Sequence, residues 1–199
     1  MQDSRSSDVA YLRPGTRVVK LVVAGPLGVG KTTLVAALSE IRPLHTEERM
    51  SQAGASVDDL VGLASKTTTT VALDFGRLTL NERLVLYLFG APGQERFGSM
   101  WEDLARGALG GLVLVDTRRL ADSFSAIDLV EDYGLPYTVA VNRFPDAPEI
   151  PDAQLRAALD LDPRTPLVHC DARDRTSAAE ALIILVQYLL DPATSLEPA

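Results

Sequence analysis

The sequence predicts an α/β fold in which a mostly parallel six-stranded sheet, with one antiparallel edge strand, carries helices on both faces. Three observations predict it. Apolar runs of strand length alternate with helical patterns from about residue 16 to residue 190. The second and third runs are joined by a turn too short for a parallel crossover, so they pair antiparallel. The first run opens directly into a glycine-rich loop that starts a helix.

Val18–Ala24 is the first strand, and a helix follows from about Lys31 to Glu40, ending near Pro43. His45 to Lys66 has no strong strand signal, and a short helix is expected around 57–64. A connection this long inside a compact domain points to function or disorder. The second strand begins with the β-branched stretch Thr68–Phe75, and the polar turn Leu80-Asn81-Glu82-Arg83 leads into the third, Leu84–Phe89. Further strands are expected at Gly111–Asp116, Tyr137–Asn142 and Leu167–Cys170, and helices near 97–107, 119–132, 152–160 and 177–190. Residues 1–15 and 191–199 read as flexible arms around one domain spanning 16–190.

Composition bounds the function. The 199 residues fit one domain, and a 46% hydrophobic content fills a core without any run long enough to span a membrane. No signal peptide or lipidation motif is expected at either end, and the single cysteine, Cys170, fits a reducing, cytoplasmic setting. A net charge of −8 without basic runs argues against nucleic-acid binding through bulk electrostatics. Only Lys20, Lys31 and Lys66 are lysines among 19 basic residues, so a lysine inside the glycine-rich loop stands out.

That loop, Gly25-Pro26-Leu27-Gly28-Val29-Gly30-Lys31-Thr32, satisfies G-x-x-x-x-G-K-[ST]. Gly25, Gly28 and Gly30 let the backbone turn its N–H groups, Val29 included, onto phosphate oxygens. The helix that follows adds its positive end and the first-turn amides, Thr33 among them. Lys31 is placed to reach the β and γ phosphates as a catalytic cation, and the Thr32 hydroxyl to coordinate Mg²⁺. A chance glycine turn is the bland alternative. The buried strand before the loop, the helix after it and the rare lysine argue against that.

Past the third strand, Gly90-Ala91-Pro92-Gly93-Gln94-Glu95-Arg96-Phe97 resembles the place where Ras-like proteins hold a glycine that contacts the γ-phosphate and then a glutamine that orients an attacking water, and Gly93 and Gln94 match both. That resemblance also makes Thr70 the candidate threonine of a first switch, completing the Mg²⁺ shell, with Thr69 as the alternative register. An ordinary strand start is the bland reading of Thr67–Thr70. By the same resemblance Asn142, Arg143 and Asp146 stand in place of a base-reading motif, and Ala172 and Arg173 in the loop beside it. Asp116 reads as structural, and Asp74-Phe75-Gly76 as an accidental match to a kinase motif. His169 and Cys170 face opposite ways on one strand, which argues against a zinc site. Trp101 and Phe97 could pack internally or meet a partner.

With the hairpin order and these motifs, residues 16–190 resemble the Ras-like P-loop GTPases of bacteria related to the gliding-motility protein MglA. The chain is most similar to the nucleotide-binding member of the actinobacterial conservon operons. The resemblance rests on the phosphate loop, on Lys66–Gly76, on Leu86–Trp101 and on Val115–Leu120. It implies a molecular switch that binds GTP or GDP with Mg²⁺, hydrolyses GTP slowly, and works beside roadblock-type and sensor-kinase-like partners. The chain departs from the pattern in three places. Gly90 stands where a magnesium-holding aspartate is usual, a role Asp74 could take over. The aspartate of Asn142-Arg143-Phe144-Pro145-Asp146 falls one position late for reading guanine. Asp171-Ala172-Arg173 replaces a Ser-Ala-Lys loop. An arginine finger would come from Arg42, Arg49 or a partner. The alternative to a switch is a nucleotide-binding scaffold with little hydrolysis and relaxed base preference.

Overall fold

The computed structural model describes residues 14–42, 44–50, 69–92 and 98–191. The chain runs β1 (Arg17–Ala24), α1 (Lys31–Leu38), β2 (Leu44–Met50), β3 (Thr69–Asn81), β4 (Leu84–Gly90), α2 (Gly98–Ala105) and β5 (Ala108–Val115). A 3₁₀ helix at Thr117–Ser123 leads to α3 (Phe124–Asp132), β6 (Tyr137–Asn142), α4 (Asp152–Ala158), β7 (Leu167–Cys170) and α5 (Arg175–Leu190). The sheet order is β2-β3-β4-β1-β5-β6-β7. β1 runs parallel to β4 and β5, β6 parallel to β5 and β7, and β3 antiparallel to both β2 and β4. The mostly parallel sheet with a single reversed strand is as expected, but the described sheet has seven strands rather than six.

The added strand is β2, so the reversed strand β3 is second from the edge. The sequence Leu44-His45-Thr46-Glu47-Glu48-Arg49-Met50 is charged and poor in β-branched residues. Its backbone nonetheless pairs with β3 from Leu44–Phe75 to Met50–Thr69. Ladder bonds offered by a long neighbouring strand outweigh weak side-chain propensity. The segment expected to be helical near 57–64 lies outside the described residues.

Alternation along the central strands fills two cores. Leu21 and Val23 of β1 join Leu34, Val35 and Leu38 of α1 and Ala178, Leu182 and Leu185 of α5 on one face. Val22 and Ala24 point the other way, with Trp101, Leu104, Ile127 and Val130 of α2 and α3. Burial of the central strands on both faces explains their near-continuous apolar sequences. Among the described residues, no helix is long and apolar enough to cross a membrane.

Two contacts fasten α2 to this frame. Trp101, expected either to pack internally or to meet a partner, is 1% exposed and stacks on Tyr133 with ring centroids 6.5 Å apart. The Lys20 ammonium donates to the carbonyls of Asp103 (2.8 Å) and Arg106 (3.0 Å) at the C-terminal end of the helix. A cation there satisfies orphan acceptors and complements the helix dipole. Trp101→Ala is expected to cost about 3–5 kcal/mol through lost burial and the cavity left behind. Urea unfolding followed by far-ultraviolet circular dichroism measures it, and a cost below about 1 kcal/mol would contradict the anchoring role.

Candidate functional site

The phosphate loop bridges β1 and α1 in the middle of the sheet. Gly25 (φ 135°) and Gly30 (φ 108°) occupy backbone conformations that side chains resist. A Cβ on Gly25 would lie 2.5 Å from the Leu114 carbonyl oxygen, and one on Gly30 would lie 2.7 Å from Asn142 Nδ2. Both glycines are therefore required by close packing as well as by φ. Val29 is fully buried between them. Gly30 caps α1 with no side chain bonded to the first-turn amides, and that turn holds no acidic residue. Such a helix start is chemically an anion site.

Lys31 turns back on its own loop. Its ammonium donates to the carbonyl oxygens of Gly25 (2.7 Å) and Pro26 (2.8 Å). Burial pushes its pKa down to about 8, against the opposing pull of the Asp74 carboxylate. The Thr32 hydroxyl donates to Asp74 Oδ2 at 2.5 Å, and Thr33 beyond it is exposed.

Asp74 explains the glycine at the end of β4. Asp74 and Gly90 are direct partners across the β3–β4 ladder. A Cβ placed on Gly90 would meet Asp74 Cβ at 2.9 Å and Oδ2 at 3.1 Å. The two positions share one space, and the carboxylate reaches Thr32 from the neighbouring strand. The Asp74-Phe75-Gly76 sequence thus has local structural causes. Phe75 packs against Tyr87 and Phe89, each with centroids 5.1 Å away, and Gly76 admits Val35 of α1.

Asn142 ends β6 and is 4% exposed. Its Nδ2 donates to the Val29 carbonyl at 2.8 Å, and its Oδ1 accepts from the Ala172 amide at 2.9 Å. The expected base-reading asparagine therefore spends both ends of its amide holding the phosphate loop and the β7–α5 turn together. Arg143 is exposed beyond it. Pro145 takes the position three residues after Asn142, and Asp146 follows it, exposed, at φ 61°. Arg173 forks onto Asp171 at 2.7 and 2.9 Å, and that pair holds the Asp171 carboxyl down to about 2. Ala172, 1% exposed, packs into the core.

Asp116 is fully buried, accepts the Arg118 amide, and binds the Arg118 guanidinium at 2.7 Å, which fits its structural reading. Arg118 in turn lies 3.8 Å over the Phe144 ring. The faces of β7 also separate as expected. Cys170 is buried, with its thiol pushed up to about 12 by burial, whereas His169 Nε2 lies 2.8 Å from Asp152. Thr70 lies on β3 opposite Arg49, and Arg42 is exposed after α1. Gly93 and Gln94 lie outside the described residues.

Sequence alone places Arg119 within Val115–Leu120 but gives it no role in the site. It sits on the turn after β5, and its Nη2 donates to the Leu27 carbonyl at 3.1 Å. Nothing in its sequence neighbourhood marks that contact.

Residues 23–192 match the family described as "Conserved hypothetical ATP binding protein". Among solved structures, the chain is similar to the G domain of the T. maritima FeoB iron transporter, at 19% identity and a TM-score of 0.59, covering 86% of this chain and 99% of that one. It is also similar to the cytosolic domain of the same transporter in apo form, at 17% identity and a TM-score of 0.62, and in a GDP form, at 18% and 0.62. In both of those, 88% of this chain is covered and it spans 65% of the cytosolic domain's length. These likenesses show a P-loop, G-domain-like fold. No curated protein matches the sequence.

Asn142→Ala would strand the Val29 carbonyl and the Ala172 amide, and a loss of about 2–4 kcal/mol is expected in urea unfolding. For Lys31 the sign follows from its lowered value. Between pH 8 and the ordinary 10.5, the unfolded chain binds the proton that the folded chain has lost, so Lys31 adds stability as pH rises through this window. Cys170 acts oppositely above 9, because its folded thiol stays protonated. The difference between wild type and Lys31→Met isolates the lysine. Below pH 8 the variant should be the relatively more stable protein, with its advantage shrinking toward pH 10.5; a constant difference would contradict the buried ammonium.

Proposed function

The chain belongs to the family of conserved hypothetical ATP-binding proteins, and from that premise we propose that it is a cytoplasmic guanine-nucleotide switch that hydrolyses GTP slowly. The observation that carries the reading is the convergence of Thr32 and Asp74 at the start of α1, beside the Gly25–Thr32 loop, in a G-domain strand order. The GDP and GMPPNP forms of the FeoB cytosolic domain support guanine nucleotides as the ligands to test first.

In this reading the amides of residues 28–33 bind phosphate oxygens, and Lys31 exchanges the Gly25 and Pro26 carbonyls for the β and γ phosphates. A hydroxyl and a carboxylate are hard oxygen donors, a set that fits Mg²⁺ with its retained waters. Thr32 and Asp74 would hold the ion, joined by Thr70, and it would supply charge neutralisation on the phosphates. Gly93 would contact the γ-phosphate and Gln94 would orient water for attack. Arg143 and Arg173 would border the base, with Asp146 the acidic group in reach of its edge. Order in the segments around Thr70 and Gln94 would then report the γ-phosphate to protein partners. The MglA and conservon resemblance nominates roadblock-type and sensor-kinase-like proteins for that role.

One observation favours a second reading, a scaffold with relaxed base preference. Pro145 stands at the position where a guanine-reading carboxylate is needed, and Asp146 follows in a left-handed turn. The two readings separate in a titration of nucleotide-free protein with GTP, GDP and ATP, with and without Mg²⁺. Guanine preference of about a hundredfold or more is expected for the switch, and equal ATP binding would establish the scaffold instead.

The relocated carboxylate has its own test. Asp74→Asn should lower the Mg²⁺-dependent gain in GTP affinity by about tenfold or more, leaving Mg²⁺-free binding unchanged. The exchange Asp74→Gly with Gly90→Asp removes the 2.9 Å conflict and should recover part of that gain. Unchanged Mg²⁺ dependence in Asp74→Asn would remove Asp74 from the site.

A further inference from the structure

Three consecutive carbonyls of the phosphate loop hold two cations. Gly25 and Pro26 accept from Lys31, and Leu27 accepts from Arg119, which arrives from 92 positions away. We propose that Arg119 is a nucleotide-contacting arginine supplied in cis, whose guanidinium leaves the Leu27 carbonyl for the polyphosphate when nucleotide binds. The inference rests on the nucleotide-binding reading of the loop and adds a residue to it.

The backbone brings Arg119 there. Within the 3₁₀ helix Thr117–Ser123 it alone has non-helical torsions, φ −144° and ψ 53°. Its Nη2 lies 3.6 Å from where a Cβ on Gly28 would stand, so the guanidinium flanks the phosphate loop at Gly28. The side chain is half exposed, at 49%, and within reach of a ligand.

Its neighbours hold it loosely. Asp116 Oδ2 is 3.9 Å from Nε and Asp122 Oδ2 is 3.6 Å from Nη1. The adjacent Arg118 takes Asp116 at 2.7 Å and lies on Phe144. Two consecutive arginines thus divide the work, one locked to a buried carboxylate and one resting on a neutral acceptor beside the phosphate loop. A neutral carbonyl is a weaker partner for guanidinium than a phosphate, to which its planar fork binds bidentately. In the proposed reading Lys31 would make the same exchange, from the Gly25 and Pro26 carbonyls of the same loop. Among the described contacts, Arg42, one sequence candidate for such a cation, makes none with the loop.

Substitutions at Arg119 separate charge from loop bracing. Arg119→Gln keeps an N–H donor for the Leu27 carbonyl but no charge, and Arg119→Lys keeps the charge. Calorimetric titration with GTP and with GDP in Mg²⁺ is expected to show Arg119→Lys weaker by about three- to fivefold, because it keeps the charge but loses the fork, and Arg119→Gln and Arg119→Ala weaker by about ten- to a hundredfold. Thermal melting of the unliganded proteins should leave Arg119→Gln close to wild type, so that its loss of affinity is not a loss of fold. Wild-type affinity in Arg119→Gln, or equal weakening of the Lys and Gln variants, would overturn the contact and make Arg119 a brace for the loop. If wild type itself binds neither nucleotide while folding normally, the nucleotide-binding reading falls and takes this inference with it.

Discussion

The amide of Asn142 is the connection on which the rest of the site depends. It donates to the Val29 carbonyl of the phosphate loop and accepts from the Ala172 amide of the β7–α5 turn, and it is almost wholly buried. Three segments far apart in sequence thereby share one side chain. A buried amide left without partners is costly, so this geometry resists alternatives. Its consequence is visible at Gly30, where the Asn142 nitrogen occupies the space a Cβ would need. The loop's shape is set by a neighbour's side chain as much as by its own glycines.

Around that tie, charge is distributed by strand pairing. A carboxylate near the phosphate-loop threonine can come from either of two adjacent strands when they face each other in register. Here Asp74 on β3 supplies it and Gly90 on β4 yields the space. The same carboxylate faces Lys31, whose ammonium is partly desolvated and rests on loop carbonyls. A helix start with no capping side chain, a lysine resting on loop carbonyls and a carboxylate from β3 form one electrostatic unit at the end of β1.

The arginines after β5 extend this unit to its rim. Arg118 is consumed by Asp116 and Phe144, fixing the turn and the loop that carries Pro145 and Asp146. Arg119 faces the phosphate loop instead. On the other side, Trp101 and Lys20 fasten α2 to the sheet.

The phosphate loop, the alternating architecture, the β3–β4 hairpin and the opposite faces of His169 and Cys170 can be read from the order of the residues. All are encoded locally, in glycine spacing, apolar runs, turn residues and the two-residue period of a strand. The remaining features arise only from pairing and packing in the assembled fold. β2 forms because β3 offers it a ladder, which its charged sequence does not advertise. Trp101 is core because α2 lies against α3. Asn142 serves as a tie, Asp74 meets Thr32, and Arg119 reaches Leu27 because pairing and packing bring together residues separated by 30 to 113 positions. Local pattern specifies which way a side chain points from its own backbone; what stands opposite it is fixed only when the sheet assembles.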